Sequence, residues 1–524
     1  MRVVLAMALF GCAVLPLWAG VTEEWFNNLI NVTVVAARAD ASGNSYLAAT
    51  STNLGNNDIL TLKYSATGGL VWSNRFAGPS NADDRASQLI LDGQGNSYVF
   101  GQSTGTNRHV GYGYLLQDMV VLKYSSTGQS QWIARVSSPH NIDLFPGRMD
   151  LDTAGNVYLT AIERDARGYP VAYTNGSYPQ FYTVKLGPAG NQLWRTNYPS
   201  QAPASLKIYS TPVVTVRPSG GVLIACEDGV LRFQSDGTRS TNLALPQVQG
   251  GPIFPTAMLF DKATNLFTAG AAYSPNTAVI CKYNQDTTIQ WINTEFALGS
   301  DTSPGAPSTL LLDGYGNCYA GGYTASTNAV FAFAFLLKSS SNGHRAWDSW
   351  RQMDANGHFA VPQFALGLMG HVYMAYPGLP DPYLFSGTSQ IALVKHWPED
   401  GRVQELRHNS AGTTLAFPNA IGMDATNDVF VAGTEVFSGA ASGVLIKFKD
   451  PFVQPKFQNL GLGSGGQVQA QFVAVSNNTY FLQASLDLKN WATVSNYFAP
   501  QNTNALVLDL RSNANYRYFR AVTK

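Results

Sequence analysis

The residue types that most often do chemistry are sparse in this chain and lack the spacings that catalytic or metal sites need. Zinc sites commonly use His-x-x-x-His or Cys-x-x-Cys pairs, and neither pattern occurs among the 7 histidines and 4 cysteines. The histidines are His109, His140, His344, His358, His371, His396 and His408. We therefore predict no catalytic residue, no metal site and no cofactor.

Aspartate is the one chemically active residue that recurs, in segments such as Asp92-Gly-Gln-Gly-Asn96. A calcium loop needs several oxygen ligands from one short segment, whereas each segment here offers one carboxylate followed by Gly-Asn. Asp bonds to its own following backbone, and Gly or Asn tolerates positive φ, so the pattern predicts tight hairpin turns. The aspartates are Asp40, Asp92, Asp152, Asp261, Asp313 and Asp424, with weaker copies of the segment at Arg217 and Gly367.

These turns divide the chain into repeats. Consecutive turns lie 44 to 65 residues apart (217 to 261, and 152 to 217). Each turn is followed by a β-rich run and a second phrase, of which Lys63-Tyr64 followed by Gly68 and Trp72 is an example. Four short strands joined by three hairpins fit such a repeat, which is the blade of a β-propeller. We predict an all-β fold, an eight-bladed β-propeller, with seven blades as the alternative.

The second phrase predicts how neighbouring blades meet. We expect its large Trp to fill the space between adjacent blades and its Lys to lie between strands or to reach a neighbouring Asp. The last repeat stops at Lys447-Phe448-Lys449-Asp450 before any Trp strand, while Trp25 begins a similar strand near the start of the chain. We expect this N-terminal strand to complete the last blade and to remove an exposed sheet edge.

Two family resemblances rest on these phrases. Asp-x-x-Gly-Asn-x-Tyr followed by Lys-Tyr-x-x-x-Gly-x-x-x-Trp resembles the bacterial SBBP-type β-propeller repeat. The spacing from Gly128 to Trp132 also resembles the tryptophan-docking phrase of quinoprotein-like propellers. Together they cover about residues 22–450 and imply architecture alone, since blades carry many unrelated activities. A quinoprotein dehydrogenase typically has an adjacent Cys pair over its cofactor, which this sequence does not contain.

The first 20 residues have the layout of a secretory signal peptide. Arg2 precedes an apolar run, and Ala19-Gly20 provides small residues for cleavage. We therefore expect residues 1–20 to be removed and the protein to be secreted, periplasmic or held at the cell surface. The alternative is lipidation at Cys12, which follows Leu9-Phe10-Gly11. No later stretch is long and apolar enough to predict a transmembrane segment.

The sequence pattern changes after Pro451. Alternating strands are predicted at 468–472, 479–484 and 505–508. A phrase running from Tyr480 to Trp491 resembles the small Ig- or fibronectin-like C-terminal modules of secreted bacterial proteins. We therefore predict a β-propeller over 21–451 and an Ig- or fibronectin-like β-sandwich over 452–524. The sandwich would serve surface attachment, secretion or ligand contact, or act as a spacer.

Composition restricts the partners. Lys plus Arg equals Asp plus Glu at 33 each, so bulk charge gives no reason to expect nucleic acid as a partner. We expect a monomer whose partner is an extracellular glycan or protein. Cys226, Cys281 and Cys318 are scattered through strand-like segments and are expected to be buried free thiols.

Binding is expected where the repeats differ. Insertions rich in Tyr, Gly and Pro lie between the second and third strands of their repeats, at 107–116, 164–180 and 376–388, and loops that depart from a scaffold commonly carry function. The candidate binding residues are Tyr112, Tyr114, Tyr169, Tyr173, Tyr178, Tyr376 and Tyr383.

Three functions compete. The leading hypothesis is a secreted, non-enzymatic scaffold that binds a polysaccharide, protein or envelope component through one propeller face. The alternatives are a propeller-based carbohydrate-active enzyme, either a lyase or a glycosidase, and an outer-envelope assembly scaffold. A glycosidase would need carboxylates meeting at the central channel.

Overall fold

The computed structural model shows a chain built from β-strands, with no α-helix among the described residues. In the same part of the chain no helix has the length and hydropathy needed to cross a bilayer. The described residues are 21–51, 55–109, 113–164, 180–199, 212–226, 229–248, 253–273, 276–285, 288–297, 302–326, 332–353, 361–367, 370–379, 389–408, 413–437, 440–450, 456–462, 468–473, 478–485, 492–499, 503–508 and 518–523. Residues 1–20, predicted as a signal peptide, lie outside them.

The larger of two compact units spans Thr22–Lys449, and its strands form four-stranded antiparallel units that we number as sheets. Sheet 1 comprises β2 (Val32–Ala39), β3 (Ser45–Ser51), β4 (Asp58–Tyr64) and β5 (Leu70–Phe76). Sheet 2 comprises β6 (Asp84–Leu91), β7 (Ser97–Arg108), β8 (Leu115–Tyr124) and β9 (Ser130–Val136). Sheet 3 comprises β10 (Asp143–Leu151), β11 (Val157–Arg164), β12 (Gln180–Leu186) and β13 (Gln192–Pro199).

The next sheets continue in chain order. Sheet 4 comprises β14 (Val213–Val216), β15 (Val222–Cys226), β16 (Gly229–Phe233) and β17 (Arg239–Leu243). Sheet 5 comprises β18 (Ile253–Phe260), β19 (Leu266–Tyr273), β20 (Asn276–Tyr283) and β21 (Ile289–Ala297). Sheet 6 comprises β22 (Thr302–Leu312), β23 (Cys318–Ser326), β24 (Ala332–Ser339) and β25 (Arg345–Met353).

The last two sheets show two departures from this regularity. Sheet 7 is joined to sheet 6 through one residue pair, Met353 with Gly378, and sheet 8 takes its fourth strand from the start of the chain. Sheet 7 comprises β26 (Gln363–Leu366), β27 (Val372–Gly378), β28 (Gln390–His396) and β29 (Val403–His408). Sheet 8 comprises β30 (Thr413–Met423), β31 (Val429–Phe437), β32 (Ala440–Lys449) and β1 (Thr22–Ile30), which pairs antiparallel with β32.

Contacts between first strands arrange the sheets in order. The first strand of each described sheet packs against the first strand of the next, from β2 against β6 through to β26 against β30, and β30 packs against β2. Four-stranded antiparallel sheets that contact their neighbours through the innermost strand form a β-propeller. The described architecture is therefore that of a propeller.

Burial follows this arrangement. Every residue of β3 is buried, because that strand has a sheet on each side, whereas the outer strand β5 alternates between exposed and half-buried residues. The outer strand β5 therefore forms the solvent-exposed rim of sheet 1. The second strand β3 is therefore packed on both faces.

Side chains also join the inner strands. Gln88 on β6 donates Nε2 to the Met149 carbonyl at 2.9 Å and accepts the Met149 amide at 2.7 Å. Beside Met149 the β10–β11 register shifts between Pro146 and Met149. Such a bulge leaves backbone groups without ladder partners, and the neighbouring sheet supplies partners for part of this polar edge.

The predicted Asp turns are confirmed. Asp92 Oδ1 accepts the amides of Gln94 and Asn96 at 3.0 and 2.9 Å, and Oδ2 accepts Asn96 Nδ2 at 2.7 Å. Gly95 adopts φ +77°, a conformation that costs glycine little. These contacts engage the carboxylate within its own turn.

The predicted Trp packing is also confirmed. Trp72 of sheet 1 donates its indole N–H to the Ser126 carbonyl of sheet 2 at 3.2 Å, and a Cβ at Gly128 would lie 2.8 Å from the Trp72 ring. The partner turn therefore requires glycine. The corresponding contacts pair Trp25 with Gly68, Trp132 with Gly190, Trp194 with Gly237, Trp291 with Gly343 and Trp347 with Gly401.

The predicted packing role of the recurring lysine is also confirmed. Lys63 Nζ lies 3.9 Å from Asp40 Oδ2, 4.7 Å from the centre of the Tyr46 ring, and donates to the Ser126 carbonyl at 3.1 Å. The ammonium thus binds an acid in its own sheet and a turn in the next. Its role is packing between sheets.

Cys226, Cys281 and Cys318 are buried free thiols, as predicted. Burial raises the pKa of the Cys281 thiol to about 12, so this thiol is protonated at neutral pH and poorly nucleophilic.

The second unit includes residues 450–524. Its described strands form two antiparallel three-stranded sheets, with orders β33-β34-β37 and β36-β35-β38. The strands are β33 (Lys456–Leu462), β34 (Val468–Val473), β35 (Asn478–Ser485), β36 (Ala492–Ala499), β37 (Thr503–Leu508) and β38 (Tyr518–Thr523).

Candidate functional site

One end of the propeller carries the connections that differ most between repeats. Because strands alternate in direction, the link between the second and third strands leaves a sheet at the same end as the segment leading to the next sheet. We call this end the loop face. The Asp turns and the Trp-docking turns lie at the opposite end, which we call the turn face.

Two of the predicted binding tyrosines can be placed. Tyr114 lies in the loop between β7 and β8 and is half-buried. Tyr376 was predicted in a loop, which is wrong: it lies within β27, paired with Ala392 of β28, and is 2% exposed. Its apolar neighbours on two strands hold it in the core. The others lie outside the described residues: Tyr112, Tyr169, Tyr173, Tyr178 and Tyr383.

Tyr114 belongs to a small polar cluster. Its hydroxyl donates to Asp143 Oδ2 at 2.9 Å, and the Gln117 amide donates to Asp143 Oδ1 at 2.8 Å. The His109 ring stacks on the Tyr114 ring with centroids 5.0 Å apart and 29° between planes. A buried carboxylate at the start of β10 thus fixes an aromatic pair on the loop face.

A second polar cluster on the loop face surrounds Glu163. Glu163, near the end of β11, is 0% exposed at its side chain and accepts Tyr182 Oη at 2.9 Å. His140 Nδ1 lies 3.0 Å from Glu163 Oε1 and 3.1 Å from Tyr182 Oη. Burial, followed by the charge of Glu163, raises the pKa of Tyr182 above its usual range. Ser138 also donates to Glu163.

The two clusters form one surface. His140 and Asp143 belong to the segment joining sheets 2 and 3, so one stretch of chain contacts both Glu163 and Tyr114. The His140 side chain is 41% exposed, whereas the carboxylates beneath it are buried. We name this surface the sheet 2–3 patch, comprising His109, Tyr114, His140, Asp143, Glu163 and Tyr182.

The sequence pattern predicted Tyr114 as a binding residue but did not predict the His140–Glu163 pair. The two residues are 23 positions apart, and no motif joins them. One signal was available: Glu163 occupies the strand position at which the first two sheets have the small residues Ser51 and Ser103. A carboxylate replacing serine at a buried position indicates a specific partner.

The inner strands carry positive charge. Arg38 on β2 and Arg148 on β10 come from sheets 1 and 3, and burial lowers the pKa of each guanidinium. The charge of Arg148 lowers the pKa of Arg38 further. A glycosidase requires two carboxylates at its cleft, whereas these strands bring together two arginines. No group of three or more His, Cys, Asp or Glu suited to a metal ion occurs in the described part of the chain.

The sequence contains one serine motif that could indicate a nucleophile. Gly101-Gln-Ser103-Thr-Gly105 has Gly-x-Ser-x-Gly spacing, but a nucleophile elbow needs a sharp strand-to-helix turn. Here the segment lies within β7, and Ser103 is fully buried, with its hydroxyl accepting Arg135 Nη2 at 2.6 Å. Ser103 serves packing and has no elbow geometry.

No protein-family model matches this chain, and no curated protein matches it. Among solved structures, similar ones include a Trypanosoma rangeli sialidase, 10% identical with a TM-score of 0.34, covering 73% of this chain and 56% of that chain. Regucalcin, a calcium-binding protein from Agrobacterium tumefaciens, is 12% identical with a TM-score of 0.28, covering 59% and 92%.

A gluconolactonase from Xanthomonas campestris is 13% identical, with a TM-score of 0.30, and covers 60% of this chain and 90% of that chain. Likenesses at these values say nothing about activity. The assignment of the propeller class rests on the strand orders and on the contacts between neighbouring sheets.

Proposed function

We propose that this protein is a secreted, non-enzymatic scaffold that binds an extracellular glycan or protein through the sheet 2–3 patch. The observation that carries the proposal is the stacked His109–Tyr114 pair held by Asp143. Fixed aromatic rings lose little conformational entropy on binding and offer a broad contact surface.

The chemistry of the patch favours binding over catalysis. Glu163 and Asp143 are buried and each accepts hydrogen bonds from neighbouring groups. A carboxylate engaged in this way positions other side chains rather than meeting a substrate. His140 and Tyr114 are the more exposed groups, and they present donors and ring faces suited to a sugar or a protein surface.

A screen of the full chain on a glycan array and in pull-downs from extracellular fractions tests this proposal. The unmodified protein should retain at least one specific partner, and Tyr114→Ala should weaken that retention by tenfold or more. Tyr315→Ala is the matched control, since Tyr315 is 67% exposed and lies on the turn face. A partner retained equally by Tyr114→Ala, or no partner at all, would contradict the proposal.

One observation favours the enzyme alternative. A buried carboxylate that orients a solvent-reachable histidine is an arrangement used for general-base catalysis, and Glu163 holds His140 in this way. A lyase acting through His140 would produce an unsaturated sugar detectable by ultraviolet absorbance. His140→Gln should then abolish the signal while Tyr315→Ala keeps it. Absence of turnover on acidic polysaccharides bound by the protein would exclude this alternative.

The architecture completes the proposal. We infer an eight-bladed ring of SBBP type, closed by pairing of β1 with β32. We also infer that the strands beyond 451 form an Ig- or fibronectin-like β-sandwich. Secretion would follow from residues 1–20. N-terminal sequencing of the exported protein tests the last point, with Gly20 or Val21 as the expected first residue.

A further inference from the structure

Two described sheets of the propeller lack the tryptophan that the repeat predicts. The residue opposite the third-strand Lys is Trp in six sheets, for example Trp72 opposite Lys63, whereas in sheet 7 Gln404 is opposite Lys395. In sheet 4 the corresponding pair is Arg232 with Ser240. No indole therefore projects from this strand position of sheet 4 toward sheet 5. The six pairs are Lys63–Trp72, Lys123–Trp132, Lys185–Trp194, Lys282–Trp291, Lys338–Trp347 and Lys447–Trp25.

The residues around the missing indole also differ from those of the other sheets. Trp72 packs edge-on against Tyr46 of its own sheet, and Leu223 stands at that position in sheet 4. The docking glycine of the next sheet, Gly128 in the case of Trp72, is replaced in the sequence by Thr287. Two described positions, those of the indole and of its aromatic neighbour, thus differ together at this junction.

A cavity of about 380 Å³ occupies this junction. Its apolar wall is formed by Leu223 of sheet 4 and by Phe260 and Leu266 of sheet 5. Asn284 and Gln285, which begin the turn that an indole would contact, line the other side. Small-molecule sites are typically concave, largely apolar and provided with a few polar groups, as this cavity is.

The charge at the junction also departs from the repeat. In six of the other sheets the turn begins with an aspartate, and in sheet 1 this acid, Asp40, lies 3.9 Å from the third-strand Lys63. Here the turn residue is Arg217, which lines the cavity, and the third-strand residue is Arg232. Burial, followed by the charge of Arg232, lowers the pKa of Arg217. Arg232 Nε is buried and has no hydrogen-bond partner. An anion bound beside Arg217 would offset the repulsion between the two guanidinium groups.

We propose that this cavity binds an acidic sugar residue, with the uronic carboxylate held by Arg217. Guanidinium binds carboxylate through two parallel hydrogen bonds. Phe260 and Leu223 would pack against the C–H face of the ring, and the amides of Asn284 and Gln285 would bind its hydroxyls. An aromatic carboxylate would leave those amides without partners, at a cost in affinity. This site lies on the turn face, apart from the sheet 2–3 patch.

Calorimetric titration of the full chain tests the proposal. D-Glucuronate should bind at least tenfold more tightly than D-glucose, its neutral counterpart, and more tightly than indole-3-carboxylate. Arg217→Gln should weaken glucuronate binding tenfold or more. The control Arg402→Gln removes another arginine of the turn face, 51% exposed at its side chain, and should change nothing.

A refilling variant provides an independent check. Ser240→Trp combined with Thr287→Gly restores the indole and the glycine that such an indole requires, so it should block glucuronate and raise the melting temperature, while Tyr114-dependent binding persists. Equal binding of glucose, tighter binding of indole-3-carboxylate, or full glucuronate binding by Arg217→Gln would overturn the assignment. Should this double variant fail to fold, the sugar pair and Arg217→Gln still decide the question.

Discussion

The indole of Trp25 lies on Gly68, with ring atom Cδ2 3.0 Å from the position a Cβ at Gly68 would take, and its N–H donates to the Ala66 carbonyl at 3.2 Å. Lys447 donates to the same carbonyl at 3.3 Å. The first strand of the chain and the last strand of the propeller therefore contact sheet 1 together. These contacts correspond to those that Trp72 and Lys63 make with the Ser126 carbonyl of sheet 2.

Trp25→Ala should lower the free energy of unfolding by about 3 kcal/mol, because it removes a partly buried indole and its hydrogen bond between β1 and sheet 1. Denaturant unfolding monitored by circular dichroism measures this. Ile30→Ala, a 75% exposed residue on the same strand, should cost less than about 0.5 kcal/mol. Equal effects of the two variants would argue against a junction role.

Gly128→Ala should destabilise the protein by about 2–4 kcal/mol. Gly128 adopts φ +89°, and a Cβ would lie 2.8 Å from the Trp72 ring, so backbone strain and overpacking add. The control is Gly93→Ala, whose Cβ would meet nothing within 4 Å. We expect that control to change the unfolding free energy by less than about 0.5 kcal/mol.

Gln88→Leu should cost about 1–3 kcal/mol, because it leaves both backbone groups of Met149 without their partner from the neighbouring sheet. Gln131→Leu makes the same chemical change at an exposed site on the outer strand β9 and should be nearly neutral. Urea unfolding of both variants provides the comparison. A neutral Gln88→Leu would show that the bulged inner strands do not depend on this bond.

His396 predicts a pH dependence. It is fully buried, stacked on Trp347, with Nδ1 3.2 Å from the Val372 carbonyl and Nε2 3.1 Å from Ser349 Oγ. Burial, with a smaller contribution from Arg351, lowers its pKa from 6.5 to about 4. Between pH 6.5 and about pH 4, the unfolded chain therefore binds a proton at this histidine that the folded chain does not bind. The free energy of unfolding falls as the pH falls through this range.

Unfolding titrations of the protein and of His396→Gln at pH 7.5 and pH 5 measure this effect. The stability difference between the two proteins should shrink by about 2 kcal/mol at the lower pH, because the variant lacks the titrating group. Other buried groups, such as His371, cancel in the difference. A difference that stays constant between the two pH values would show that His396 does not titrate in this way.

Local patterns predicted the parts of the fold that depend on neighbours in the chain. The Asp92 turn needs only the carboxylate, the two amides that follow it and a glycine, all within five residues, so the spacing predicted its hydrogen bonds. Trp72 could be assigned to a junction because its phrase recurs. Tyr376 was misplaced because a Tyr-Pro-Gly sequence also suits a turn, and only its pairing with Ala392 keeps it in the strand.

The sequence by itself determined the all-β repeat, its turns, its tryptophan contacts and the burial of its thiols, because each depends on short-range spacing repeated along the chain. Only the tertiary structure decided which residues meet across sheets. Glu163 contacts His140, and a cavity lies beside Arg217 where Ser240 takes the place of a tryptophan. Packing between separate repeats sets both arrangements. A candidate site therefore arises where the repeats differ, and its members became recognisable once the sheets were placed side by side.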